Sequence, residues 1–140
     1  MAAMGKLIVV TGGAGALGSG LARVLVGRGY RVAALDRAAA EDRLKALAAE
    51  LGEGCAGVVA DVRTGEGWSA ALREVEARLG PASGAALIAG GWQGGTPLHE
   101  EEGDGVYRAM MESNLDTAQA SLRALLPGMV EKPLPVMNYG

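Results

Sequence analysis

Between Lys6 and Arg37 the chain reads KLIVVTGGAGALGSGLARVLVGRGYRVAALDR, and this stretch limits the fold more than any other. The apolar run Leu7 to Val10 stops abruptly at Thr11-Gly12-Gly13-Ala14-Gly15-Ala16-Leu17-Gly18. An amphipathic run follows, with Leu17, Leu21, Val24 and Leu25 at the helical spacing that marks an apolar side. A second apolar run, Arg31 to Leu35, ends on Asp36. Strand, glycine turn, helix, strand and acid follow in the order of a βαβ unit that binds a dinucleotide.

The chemistry explains the residue types. A diphosphate needs backbone N–H donors that approach it closely, and a Cβ at those positions would hold it away. Glycine removes that obstacle and permits φ > 0 in the tight turn. Leu17 and Gly18 are expected to open the helix, so that its free N–H groups and positive dipole end face the phosphates. Asp36, at the carboxyl end of the second strand, is placed to accept hydrogen bonds from ribose hydroxyls. Arg37 beside it could contact a 2′-phosphate, whereas Asp36 would repel one. NAD is therefore expected over NADP.

TGGAGALG resembles the TGxxxGxG signature of short-chain dehydrogenases/reductases, except that Ala16 stands where the middle glycine belongs. GGAGALGS is most similar to the dihydropteridine reductase branch of that family. The resemblance implies a Rossmann-type α/β fold, a doubly wound parallel sheet of order 3-2-1-4-5. It implies cofactor contacts at Gly12, Gly13, Ala14, Gly15, Ala16, Leu17, Gly18, Asp36 and Arg37. The backbone turn after the fourth strand, usually NNAG in the family, is Leu87-Ile88-Ala89-Gly90 here, so both asparagines are missing. Ala89, Gly90 and Gly91 are expected beside the cofactor, and the AGGWQGG run is again like dihydropteridine reductase.

Further along, Ala38 to Leu51 reads as a second helix, with Leu44, Leu47, Ala48 and Leu51 inward and Gly52 as its stop. Ala56 to Ala60 reads as a third strand ending on Asp61-Val62, the family's adenine-contacting pair. The alternative is an ordinary polar strand end. Trp68 to Leu79 reads as a helix stopped by Gly80-Pro81, with Trp68 as a packing residue. Ala85 to Ala89 reads as the fourth strand. Gly105 to Met129 is the longest helical pattern, its broad apolar stripe running through Val106, Met110, Met111, Leu115, Ala118, Leu122, Leu125 and Met129. Asp104 is a candidate cap for it, and Pro127 is expected to terminate it. Asn114 sits where the family holds a water in its proton relay; a buried asparagine satisfied by backbone is the equal alternative. Leu134 to Gly140 reads as a fifth strand.

The 140 residues carry a net charge of −3, with a pI near 5.2, which argues against nucleic acid or an anionic membrane as a main partner. One domain, 1–140, is expected from that length. Cys55 is the single cysteine and His99 the single histidine, so no metal site is expected. MAAMGK leads directly into the first strand, which suggests no signal peptide, and no apolar run approaches the roughly 20 residues that span a bilayer. A soluble cytoplasmic protein is the expectation.

Family catalysis uses a serine and a Tyr-x-x-x-Lys pair. Four residues after Tyr30 and Tyr107 stand Ala34 and Met111, and no lysine follows Tyr139 in these 140 residues. The resemblance covers nearly all of the chain but about half of the family fold. The expectation is an NAD(P)-dependent oxidoreductase present as its cofactor-binding half, acting with a small-molecule substrate if completed, and a homo-oligomer because a truncated sheet leaves an edge and apolar surface uncovered. The alternative is a non-catalytic dinucleotide-binding module, or a truncated product with no activity of its own.

Overall fold

The computed structural model describes residues 5–130 and the backbone of 136–138. Five parallel strands form one sheet in the order β3-β2-β1-β4-β5. They are β1 (Leu7–Thr11), β2 (Arg31–Asp36), β3 (Cys55–Val59), β4 (Gly84–Leu87) and β5 (Val136–Asn138). The flanking helices are α1 (Ala16–Gly27), α2 (Glu41–Leu51), α3 (Gly65–Leu79), α4 (Gly105–Met111) and α5 (Thr117–Met129). The expected strand order 3-2-1-4-5 is the observed one. Residues 134–135 and 139–140 of the expected fifth strand, like residues 1–4, lie outside the described residues.

Both faces of the central strands are buried, which is why they read as continuous apolar runs instead of alternating ones. Successive side chains point to opposite faces. Leu7, Val9, Ala33 and Leu35 join Trp68, Val75, Leu125 and Met129 under α3 and α5. Ile8, Val10, Val32 and Ala34 join Ala22, Leu44 and Leu47 under α1 and α2. Each fully buried Leu or Val contributes about 1.5–3 kcal/mol. Alanines and glycine on β2 and β4 let the helices close onto the sheet.

Several expected boundaries shift for identifiable reasons. α3 begins at Gly65, before Trp68, because the Thr64 hydroxyl accepts a hydrogen bond from the Gly67 N–H at 3.0 Å and caps the first turn. Ala38–Ala40 forms a separate 3-10 turn ahead of α2. β4 ends at Leu87 instead of Ala89, because the N–H groups of Ile88 and Ala89 turn to the Thr11 hydroxyl. The helical pattern from Gly105 is interrupted at Glu112–Asp116 by a π-helical turn that resets the helix phase. α5 consequently buries Thr117, Ser121, Leu125 and Met129, whereas Leu115 is exposed. Pro127 lies inside the last turn and does not stop the helix at once, since the Val130 N–H still donates to the Leu126 carbonyl. The Asp104 side chain makes no capping hydrogen bond.

α1 departs most from its expected face. It buries Gly18 and Ala22, while Leu17 and Val24 stand exposed. Leu21 and Leu25 of the expected face are half-buried against the core, as their spacing predicts, while the closest approach of this helix selects the smallest side chains, Gly18 and Ala22, for full burial. At the far edge of the sheet, β3 has one free side. The Arg78 guanidinium, paired with Glu74 at 2.9 Å, donates to the Gly57 carbonyl there at 3.1 Å.

Candidate functional site

The carboxyl ends of β1, β2, β3 and β4 open into a single cavity of about 980 Å³. Strand order reverses between β1 and β4, the position at which open α/β sheets form crevices. The glycine turn makes its floor. Gly12 adopts φ +65°, and a Cβ there would press on the Ala89 backbone N at 3.0 Å. Gly18 packs its Cα against the same turn, where a Cβ would overlap the Gly12 carbonyl oxygen. Glycine is required at both positions by backbone approach, before any ligand is considered.

The amino end of α1 points into the cavity. Gly15 is its N-cap, supplies no side chain to bond the first N–H groups, and no acidic residue stands in the first turn. Those N–H groups and the helix dipole therefore present a positive end with no internal anion. Opposite stands Asp36, half-buried at the end of β2. Its two carboxylate oxygens accept from the Ala14 N–H at 3.0 Å and the Arg37 N–H at 2.9 Å. Two backbone donors thus fix its orientation and leave lone pairs facing outward.

Of the residues singled out from sequence, Gly12, Gly15, Ala16, Leu17, Gly18, Asp36, Arg37, Asp61, Val62, Ala89, Gly90 and Gly91 line this cavity together. Gly13 and Ala14 do not line it. Gly13 packs on Ala34 of β2 and donates to the Leu35 carbonyl at 2.9 Å, and Ala14 serves Asp36. Asn114 also stands outside the lining and is held by backbone. Its amide donates to the carbonyls of Gly91 and Met110, both at 2.9 Å, and its Oδ1 accepts from the Gly91 N–H at 3.2 Å.

Asp61 is tied to Arg63. The Arg63 Nε donates to Oδ1 at 3.0 Å and Nη2 to Oδ2 at 3.2 Å, which together hold the carboxyl below the usual carboxylate range. The same guanidinium donates to Glu112 at 2.8 Å.

Sequence reasoning missed Thr11, Arg43, Arg63, Ser113 and Thr117. Thr11 is buried, and its hydroxyl accepts from the Ile88 N–H at 3.0 Å and the Ala89 N–H at 3.1 Å, which joins the ends of β1 and β4. The other four line the cavity. An Asp-x-Arg pair at a strand end was the one local signal that could have found Arg63. Trp68 is fully buried and donates through its indole N–H to the Val62 carbonyl at 3.2 Å, a packing role. His99 is exposed. Among the described residues no three His, Cys, Asp or Glu side chains gather as a metal site, and no helix is long and apolar enough to cross a membrane.

Residues 6–134 match the family profile described as short chain dehydrogenase. A cis-2,3-dihydrobiphenyl-2,3-diol dehydrogenase of Paraburkholderia xenovorans strain LB400 is 33% identical over 129 residues, 90% of this chain and 46% of that protein. The chain thus spans about half the length of the curated relatives it matches. The closed form of a serine dehydrogenase complexed with NADP+ superimposes with a TM-score of 0.82 at 27% identity, covering 95% of this chain and 53% of that one. A 3-ketoacyl-(acyl-carrier-protein) reductase from Brucella melitensis, complexed with NADH, gives a TM-score of 0.85. At 20% identity, covering 96% and 56% of the two chains, it is a likeness of fold alone. These relatives do not single out the dihydropteridine reductase branch. The glycine turn, the strand order and the match over nearly the whole length have one conclusion: the chain belongs to the short-chain dehydrogenase family.

Proposed function

We propose that this chain is the nicotinamide-dinucleotide-binding half of an oxidoreductase, which transfers hydride to or from a carbonyl or imine-like small molecule. One observation carries the reading. An uncapped helix amino end and a glycine cradle, both closed to any Cβ at Gly12 and Gly18, face one cavity with an oriented acid on its wall. The diphosphate would lie against Gly12–Gly18, the adenosine ribose would meet Asp36, and the adenine would lie by Asp61 and Val62. The nicotinamide, when bound, supplies the hydride chemistry. This chain's own part is to bind and orient.

NAD is the preferred cofactor in this reading. Coulomb repulsion between Asp36 and a 2′-phosphate about 5 Å away costs about 1–3 kcal/mol, depending on solvent screening. Arg37 and Arg43, both lining the cavity, are the groups an extra phosphate would recruit, and they favour NADP as the second choice. Asn114 fits the backbone-satisfied alternative better than a proton relay, since all its amide atoms bond protein groups. The same reading expects a homo-oligomer, for which exposed Leu115, Leu126 and Val130 offer apolar surface.

Because no Tyr-x-x-x-Lys stands in these 140 residues, a non-catalytic binding module is the second reading. NADH fluorescence titration tests binding itself; no binding at millimolar NADH sinks both readings. Asp36→Ala should weaken NAD about tenfold and NADP much less. Equal losses would undo the cofactor preference.

A further inference from the structure

Two loops border the cavity on the side away from α1. One follows β3 and carries Asp61 and Arg63; the other follows β4 and carries Gly90 and Gly91. No strand pairing links them directly, since β2 and β1 separate β3 from β4 in the sheet. Three inter-strand gaps of nearly 5 Å put these strand ends about 14 Å apart. The π-helical turn Glu112–Asp116 bridges the gap from above, and side chains of its first and third residues anchor it to the two loops. Glu112 accepts from Arg63, whose fork also grips Asp61 at both oxygens. Two residues on, Asn114 makes a reciprocal pair with the Gly91 backbone, donating at 2.9 Å and accepting at 3.2 Å.

We infer that Arg63 and Glu112 form a positioning strut, which sets the Gly90–Gly91 segment at a fixed distance from the Asp36–Asp61 end of the cavity. The inference rests on the dinucleotide reading and adds to it a coupling between the two ends. A π turn is a rare, single-turn interruption of an α-helix, and here side-chain anchors fix where it sits. A planar guanidinium that bonds two carboxylates holds direction as well as distance, which a lysine cannot do. Gly90 leaves little slack, because a Cβ there would lie 2.6 Å from the Asn114 Oδ1. Displacement of the π turn therefore passes straight to the β4 loop.

In the dinucleotide reading, a ligand confined to the glycine turn, Asp36 and Asp61 would stop short of Gly90 and Gly91. ADP would be such a ligand, whereas NADH would extend past β1 to Gly90. Removing the Glu112 anchor, which does not itself line the cavity, should thus separate the two.

The experiment compares wild type and Glu112→Gln in the full chain, titrating NADH and ADP calorimetrically and following Gly91 amide hydrogen exchange by NMR. The expected result is NADH affinity reduced about threefold, the size of one exposed ion pair, with ADP affinity unchanged. Gly91 exchange should accelerate severalfold. Arg63→Lys, which keeps the charge and loses the fork, should reproduce the faster exchange at Gly91. Equal losses for NADH and ADP, or no change in NADH affinity, would overturn the strut. If wild type binds neither ligand at millimolar concentration, the dinucleotide reading falls. The strut is then judged by Gly91 exchange alone, and unchanged exchange in Glu112→Gln overturns it.

Discussion

Two glycines of α1 permit the same substitution to be read with opposite outcomes. Gly20 has open space where a Cβ would go, with nothing within 4 Å. Gly18, half a turn earlier, would place its Cβ 2.8 Å from the Gly12 carbonyl carbon and 2.9 Å from the Gly13 Cα, where ordinary contact begins at 3.4 Å. Those shortfalls are about 0.5–0.6 Å, the overlap with the Gly12 carbonyl oxygen is greater still, and all three are against backbone, which has no rotamer with which to yield. Gly20→Ala should stabilise the chain by about 0.5–1 kcal/mol, the helix-propensity gain of alanine over glycine. Gly18→Ala receives a similar gain and also the overpacking cost, about 1–3 kcal/mol. Since the gain is common to both, the variants should differ by about 1–3 kcal/mol, read from urea unfolding by circular dichroism. Relief of the overlap moves the helix end off the turn, so Gly18→Ala should also lose about tenfold or more in NADH affinity. Gly20→Ala should bind as wild type does. If Gly18→Ala matches Gly20→Ala in both stability and binding, the close approach of α1 to its turn is not what holds this site.

Other expectations follow from single side chains. Thr11→Val keeps shape and removes the acceptor for the Ile88 and Ala89 N–H groups; a loss of about 2 kcal/mol or more is expected in urea unfolding, with Thr11→Ser within about 1 kcal/mol of wild type. A fully tolerated valine would refute the tie between β1 and β4. Burial pushes the Cys55 thiol up to about 11 from 9.0. The folded state therefore keeps its proton where the unfolded chain has lost it. That stability is intact below pH 9 and falls as pH rises toward 11, by about 2–3 kcal/mol in all. Cys55→Ala should unfold with a flatter alkaline profile; an unchanged slope counts against it.

The glycine turn was legible because its causes are local, and the strand order was legible only through the family resemblance which that turn carries. Gly12 and Gly18 answer to backbone approach within one turn, and Leu7 to Val10 needs burial on both faces whatever lies above them. Thr11 was illegible for the opposite reason. Its hydroxyl bonds partners 77 and 78 residues away, and nothing beside it marks that use. Arg63 meets Glu112 across 49 residues. The face of α1 was legible in part: Leu21 and Leu25 pack against the core as their spacing predicts, whereas Leu17 and Val24 do not, because the positions of closest approach are taken by Gly18 and Ala22. The π turn escaped as well, since the apolar stripe runs on through it without a break in composition.

Arg78 gives the sheet edge a consequence in crowded solution. An extended segment from another molecule that paired with β3 would meet the Arg78 guanidinium at the outward carbonyl of Gly57. Gly57 itself, lacking a side chain to obstruct a neighbour, is where such docking would otherwise start. An added strand would have to share that carbonyl with a charged guanidinium or push it aside, and a charge at an open margin is one of the ways in which sheets discourage such growth.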